Sequence, residues 1–294
     1  MKKFLKALLL ILSGMFLGFI FIIVAIIIVA LSFSPNTVEV KKNSWLVIDF
    51  DGEIREKPIS EFRNLLNLSK KEIELLKYIK AIEYAQYDRR IEGILINGDL
   101  TFYPKAYAEE ITKSIEKFKT SGKKVYAWFS TGENANYNFC LVADKIYMPK
   151  TNSASLTLTG YNLSLPYLKE GFDKLGVEFN VLHIGDYKGS GENLVKNSIS
   201  PQLKESYTTF YDDIYNDFIK SISQKRDITT ESLAKLFESG KTIFMTPTKA
   251  REYKFVDEIE NFETLTNNIS FNNFNGVSIY NYSTLLQKKI GTKK

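Results

Sequence analysis

From Ala7 to Phe33 the chain runs for 27 positions without a charged residue. That is longer than the roughly 20 residues a helix needs to cross a bilayer, and it predicts one transmembrane helix. A secretory signal has an apolar region of only about 7–15 residues, so an uncleaved anchor is the better reading, although Ala30-Leu31-Ser32 has the small-x-small form of a cleavage site. Lys2, Lys3 and Lys6 precede the run and Ser34-Pro35-Asn36-Thr37 follow it. The positive-inside rule then places the N-terminus in the cytoplasm and the body of the protein outside. No second run of this kind occurs. The expectation is a single-pass protein of the inner (plasma) membrane. Residues 1–34 carry the cytoplasmic lysines and the anchor, residues 7–33 contact lipid, and the soluble domain lies on the outer, periplasmic side.

About 250 residues remain beyond the anchor, enough for one well-buried core. The charge balance, 39 basic against 34 acidic residues or +5, is mild and gives no reason to expect a nucleic-acid partner. Cys140 is the single cysteine, which excludes an internal disulfide and a thiolate metal cluster. Its neighbours Phe139, Leu141 and Val142 mark it as a core residue. His183 is the single histidine, so a Ser-His-Asp triad would depend on it alone, and a structural role is the better reading. A His-rich metal site is excluded as well.

Trp45 to Phe50 reads as a strand closed by a turn at Asp51-Gly52. Ser69 to Tyr87 has apolar residues at 73, 75, 76, 79, 82 and 85, a helical period with Ser69 as cap. Ile91–Ile96 is a strand, Ala106–Phe118 a helix stopped by Ser121-Gly122, and Lys124–Phe129 a strand. A short helix at Tyr137–Val142 leads to Lys145–Met148. A helix at Tyr167–Leu175 and a strand at Val177–Ile184 follow. Strand and helix in alternation predict an α/β fold with a parallel sheet. Beyond Ser200-Pro201 the chain becomes helical, at Leu203–Lys225, Thr230–Glu238 and Pro247–Tyr253, with a last short strand or turn at Phe255–Ile259. The soluble domain is expected over residues 35–265, and the Asn-rich residues 266–294 read as an exposed polar linker or tail.

Lys188 stands in Gly185-Asp186-Tyr187-Lys188-Gly189-Ser190-Gly191, a glycine-flanked turn after an apolar segment. Such a turn holds a side chain still while its head projects into a cleft. It is a poor phosphate loop, because that motif needs its lysine after the last glycine and before Ser or Thr. No GxSxG nucleophile elbow occurs. Ser-x-x-Lys pairs occur at Ser114/Lys117, Ser121/Lys124 and Ser232/Lys235, as chance allows with this much serine and lysine.

Several pieces of the chain, taken in order, carry a resemblance. They are Asn43-Ser44-Trp45-Leu46-Val47-Ile48-Asp49, Asp88-Arg89-Arg90-Ile91-Glu92-Gly93-Ile94, Ser121-Gly122-Lys123-Lys124-Val125-Tyr126-Ala127, Ala143-Asp144-Lys145-Ile146-Tyr147, Asp173-Lys174-Leu175-Gly176-Val177, Gly185-Asp186-Tyr187-Lys188 and Phe255-Val256-Asp257-Glu258. Over about residues 43–260 the chain resembles the signal peptide peptidase A (protease IV) family. The resemblance implies a Clp-protease/crotonase-like fold, a spiral of βαβ units with flanking helices. It also implies a Ser/Lys dyad cleaving remnant signal peptides or other hydrophobic peptides, with Lys188 as general base and with neither metal nor organic cofactor needed, and an oligomer enclosing a catalytic chamber.

Two departures matter. Asn134 occupies the position of the family's nucleophilic serine, within Glu133-Asn134-Ala135-Asn136-Tyr137-Asn138, and the loop Asn97-Gly98-Asp99-Leu100-Thr101-Phe102 lacks the Gly-Gly pair that serves an oxyanion. The chain thus resembles the lysine-bearing first half of the family's two-domain form, and its serine is expected on a second domain or a partner chain. A lysine base must be neutral, which asks for burial to bring its pKa from about 10.4 to about 7–8. Asp186 and Glu192 would oppose that, and both are expected to point away. Three readings follow: the base-donating half of a membrane-anchored serine endopeptidase, a catalytically inactive pseudo-peptidase serving as a binding or oligomerisation module, or a single-chain enzyme using Ser130, Ser153 or Ser155. In the first, the partners are a hydrophobic peptide and either further copies of the chain or a serine-bearing half.

Overall fold

The computed structural model describes residues 2–32, 39–49, 53–56, 72–99, 104–270 and 274–291. They form two compact units, Met1–Glu39 and Val40–Lys294. The first is a helix, Lys2–Ser32, over the apolar run that predicts one. No helix among the described residues is long and apolar enough to cross a membrane.

The second unit is built on ten described strands: β1 (Ser44–Ile48), β2 (Glu53–Arg55), β3 (Glu72–Glu74), β4 (Ile91–Asn97), β5 (Lys124–Trp128), β6 (Thr131–Gly132), β7 (Lys145–Met148), β8 (Ser155–Leu156), β9 (Glu258–Ile259) and β10 (Asn275–Ser278). Six of them make one sheet in the order β10-β1-β4-β5-β7-β9, parallel at every pairing. Parallel neighbours need crossovers, and helices Leu75–Tyr87, Lys105–Lys119 and Asn134–Cys140 supply them. Ile94, Leu95 and Ile96 are buried in succession, as strands covered on both faces must be. The helices turn inward at helical spacing through Tyr78, Ala81, Ile82 and Ala85, and through Ile111, Ile115 and Phe118. This mixed α/β fold with a parallel sheet fits a Clp/crotonase-like arrangement.

Three local expectations are corrected. The helix expected from Ser69 begins at Leu75, because Glu72–Glu74 instead pairs as a parallel strand with Glu53–Arg55. Ser69 itself and the turn at Asp51-Gly52 lie outside the described residues. The stretch read as a tail is part of the fold: β10 is an edge strand of the main sheet and the helix Ile279–Gly291 follows it. Val277, Ile279 and Tyr282 are buried there, and these few apolar residues suffice within an Asn-rich composition. Val177–Ile184 is not a strand. Phe179 and Val181 are half-buried while Glu178, Asn180 and Leu182 face out, which is the alternation of a strand; it stops at His183 and Ile184, which are both exposed. Among the described residues, however, none of the backbone groups of 178–184 is hydrogen-bonded to another backbone group.

The acidic residues of the resemblance act as clamps on the sheet. Asp144 accepts the Val125 amide at 2.9 Å and pairs with Lys119 at 2.7 Å. Asp257 repeats the device one strand on, accepting the Ile146 amide at 2.8 Å and both terminal nitrogens of Arg226 at 2.9 and 3.1 Å. Asp88 precedes β4 and accepts the Arg90 guanidinium at 2.9 and 2.6 Å, the Arg90 amide at 3.0 Å and the Tyr282 hydroxyl at 3.0 Å. The Arg90 side chain, foremost, holds the Asp88 carboxyl at about 2 against an ordinary 3.8; burial opposes this, and the Arg90 amide and Tyr282 assist. A carboxylate whose pKa is depressed by folding stabilises the fold above its unfolded pKa, and that contribution is lost as pH falls through the folded one. Unfolding temperature should therefore drop between about pH 4 and pH 2, and Asp88→Asn should flatten that drop in a thermal melt series.

Candidate active site

The turn bearing Lys188 joins the unpaired segment 178–184 to the helix Pro201–Arg226. Gly191 closes it at φ 80°, a left-handed conformation that glycine adopts without strain. Gly189 meets the helix: a Cβ there would lie 2.5 Å from Leu203 Cδ2. The side chains beside Lys188 are directed to the start of the same helix. The Tyr187 hydroxyl donates to Glu205 Oε2 at 3.0 Å. Glu192, only 8% exposed, accepts the Ser200 amide and hydroxyl, each at 2.6 Å, with Tyr167 at 3.3 Å and Lys196 at 3.4 Å completing the set. Burial raises the Glu192 pKa, but the Ser200 donors and Lys196 outweigh it and hold the carboxyl below its ordinary value. Asp186 and Lys188 are exposed, and among the described residues neither side chain makes a hydrogen bond or ion pair.

Asn134 opens the short helix that follows β6, and its amide is fully engaged. Nδ2 donates to the Thr159 carbonyl at 2.7 Å while Oδ1 accepts the Thr159 amide at 3.0 Å. One side chain thus pairs with both backbone groups of a single residue, as a neighbouring strand would. The position that the resemblance assigns to a nucleophile serves here as a latch. Asn134→Ala should speed hydrogen exchange at the Thr159 amide by about fivefold, the equivalent of one net hydrogen bond of about 1 kcal/mol. Asn134→Ser should yield a chain that still cleaves no peptide in a fluorogenic assay.

The neighbouring loop is equally occupied. The Gly98 amide donates to the Trp128 carbonyl at 2.7 Å, the Asp99 amide to Asn97 Oδ1 at 3.2 Å, and Asn136 Nδ2 caps the Gly98 carbonyl at 3.0 Å. Neither amide is free to meet an oxyanion. Leu100, Thr101 and Phe102 lie outside the described residues. Ser130 donates its hydroxyl to Asp99 Oδ2 at 2.7 Å, and its amide and that of Thr131 bond Asp99 Oδ1 at 2.6 and 2.9 Å. The Ser153 hydroxyl lies 2.8 Å from that of Thr151. Ser155 sits in β8 with its amide on the Ser130 carbonyl. None of these three serines is hydrogen-bonded to Lys188 or to His183, and His183 is exposed. Cys140 is buried, and burial pushes its thiol up, away from reactivity. Among the described residues no cluster of ligands for a metal ion occurs.

Among the described residues the arrangement therefore offers a lysine on an anchored turn, with no serine hydrogen-bonded to it and with the Gly98 and Asp99 amides already bonded. The Glu192 anchorage escaped sequence reasoning. Its signal was present in Ser200-Pro201, a helix start, eight residues beyond a glutamate that follows glycine.

A family model described as peptidase family S49 matches residues 117–272, more than half the chain. Among curated proteins, Protease 4 of Haemophilus influenzae is 26% identical over 234 residues, covering 76% of this chain and 37% of that protein. Protease 4 of Salmonella typhi is 26% identical over 261 residues, 81% of this chain and 42% of its own length. The chloroplastic serine protease SPPA of Arabidopsis thaliana is 28% identical over 201 residues, 68% of this chain and 28% of its own length. The chain spans less than half the length of these relatives.

Proposed function

Because the chain belongs to peptidase family S49, the serine peptidases of the signal peptide peptidase A and protease IV kind, we propose that it is the base-donating part of a membrane-anchored serine endopeptidase. Lys188 is the general base of a Ser/Lys dyad. Its serine comes from a further domain or a second chain, and the substrates are hydrophobic peptides such as remnant signal peptides. The observation that carries this reading is Lys188 on an anchored turn, without a hydrogen bond or ion pair among the described residues, in a chain whose Ser130 and Ser153 hydroxyls are bonded elsewhere and whose Ser155 is not hydrogen-bonded to it.

The membrane part of the proposal rests on the uncharged run, the helix over it and the preceding lysines. It puts the protein in the inner membrane with its soluble unit outside. The exposed arm before Lys188 supports association with another copy or with a serine-bearing half. Leu182 and Ile184 are each 91% exposed there, beside backbone groups that have no backbone partner among the described residues. The latch at Asn134 and the occupied amides at Gly98 and Asp99 favour a second reading, a non-catalytic module that binds peptide or partner.

Mixing the purified full-length chain with a serine-bearing S49 domain and a fluorogenic peptide with a signal-peptide hydrophobic core separates the two. Cleavage is expected in the mixture and absent from the chain alone. A mixture that stays inactive while the two proteins bind supports the non-catalytic module. Cleavage by the chain alone, lost in Ser130→Ala, would overturn both.

A further inference from the structure

We infer that Glu192 is a positioning residue for Lys188, acting through Ser200 to pin the lysine turn to the first turn of the helix Pro201–Arg226; this rests on Lys188 being the base. Three contacts, on both sides of the lysine, converge on that helix start. Tyr187, one residue before Lys188, donates to Glu205. Gly189, one residue after it, lies against Leu203 so closely that any side chain would collide. Glu192, four residues after it, holds the Ser200 amide and hydroxyl. Ser200 is also the N-cap of the helix, its hydroxyl accepting the Leu203 amide. Glu192 and the cap thus share one oxygen, and the carboxylate is bound into the helix end itself.

The carboxylate is not placed to pair with the lysine it positions. Its two oxygens are taken by Ser200, Tyr167 and Lys196, so its charge is neutralised away from the turn's tip. A carboxylate facing Lys188 would favour the ammonium form and oppose its use as a base. The adjoining backbone is tied down as well. The Leu168 amide donates to the Asn193 carbonyl at 2.8 Å, and Asn193 Nδ2 to the Pro166 carbonyl at 3.4 Å. A site that needs its base held to within a fraction of an ångström gains from such outer support.

Hydrogen exchange read by mass spectrometry on the full-length chain tests this. In Glu192→Ala, peptides spanning 188–200 should exchange at least about tenfold faster, as a local opening does when its anchor is removed. Peptides from β4 and β5 should be unchanged. Ser200→Ala should reproduce the effect, and Glu192→Gln, which keeps an acceptor oxygen, should restore most of the protection. In the mixture with a serine-bearing domain, Glu192→Ala should lower kcat by about 10–100-fold, the scale of a misplaced catalytic group, with KM within about twofold. Glu192→Gln should recover most of that loss. Unchanged exchange over 188–200 in both alanine variants overturns the proposal, and so does faster exchange with kcat intact. If Lys188→Ala leaves cleavage untouched, the reading of Lys188 as base fails, and the exchange comparison alone decides whether Glu192 holds the turn.

Discussion

Replacing Lys188 with alanine is expected to reduce peptide cleavage by the reconstituted pair about 10²–10⁴-fold, the range that a general base contributes. The loss should fall on kcat and leave KM nearly unchanged, because the lysine acts on the serine proton and not on the bound peptide. Arginine is the informative companion. Lys188→Arg keeps the positive charge and most of the length, yet a guanidinium is not deprotonated in proteins. It should be as inactive as alanine. Retained activity in Lys188→Arg would show that the position supplies charge and not proton transfer. Steady-state kinetics on a fluorogenic hydrophobic peptide, with each variant at equal concentration and with binding to the serine-bearing domain verified, gives the comparison.

The second large effect lies in the core. Tyr137→Ala should destabilise the Val40–Lys294 unit by about 3–5 kcal/mol, as truncation of a buried aromatic does. The Tyr137 ring is fully buried between Phe129 and Phe255, edge-on to both at 6.5 and 5.9 Å between centroids. Its hydroxyl donates to the Phe255 carbonyl at 2.8 Å. Tyr137→Phe keeps the ring and deprives one buried carbonyl of its donor, which should cost about 1–3 kcal/mol. Tyr137 sits on the helix that begins at Asn134, so loss of its packing should also release the latch on Thr159. Thermal unfolding followed by near-ultraviolet circular dichroism ranks the variants. Equal stability of Tyr137→Phe and the natural protein would show that the carbonyl finds another partner.

What was legible in the sequence was what is local. The runs at Trp45–Phe50, Ile91–Ile96 and Lys124–Phe129 are apolar, β-rich and bounded by turn residues, and each overlaps a strand of the main sheet. The helices Thr230–Glu238 and Pro247–Glu252 begin after threonine caps at Thr229 and Thr246 that the sequence displays. What was not legible depends on distant partners. Val177–Ile184 has the period of a strand, but period says nothing of whether a neighbouring strand exists. Asn275–Ser278 has too few apolar residues to be noticed, and joins the sheet because the edge beside β1 is open to it. At the site, the turn around Lys188 could be read from its glycines. The burial of Glu192 could not, since a glutamate after glycine is ordinarily a solvent-facing residue. The roles of Asp88, Asp144 and Asp257 emerged only when their partners, up to 194 residues away in the case of Tyr282, were brought together.

The lysine turn is thus fastened to the helix on one side and continues on the other into an arm held by side-chain packing, with Phe179 edge-on to Phe172 and Val181 beside Gly191, like a cantilever. Glu192, Gly189 and Tyr187 fix its root to the helix at Pro201, while the arm from Glu178 to Ile184 has no backbone pairing among the described residues. A partner that takes up the arm's open edge does not have to build the lysine's foundation, which already exists. It needs only to pair with the arm's backbone, and the conformational freedom lost on pairing, about 1–2 kcal/mol for each residue newly fixed, is subtracted from the affinity. Mutations that stiffen the arm without altering the root should therefore tighten association and leave the chemistry at Lys188 alone.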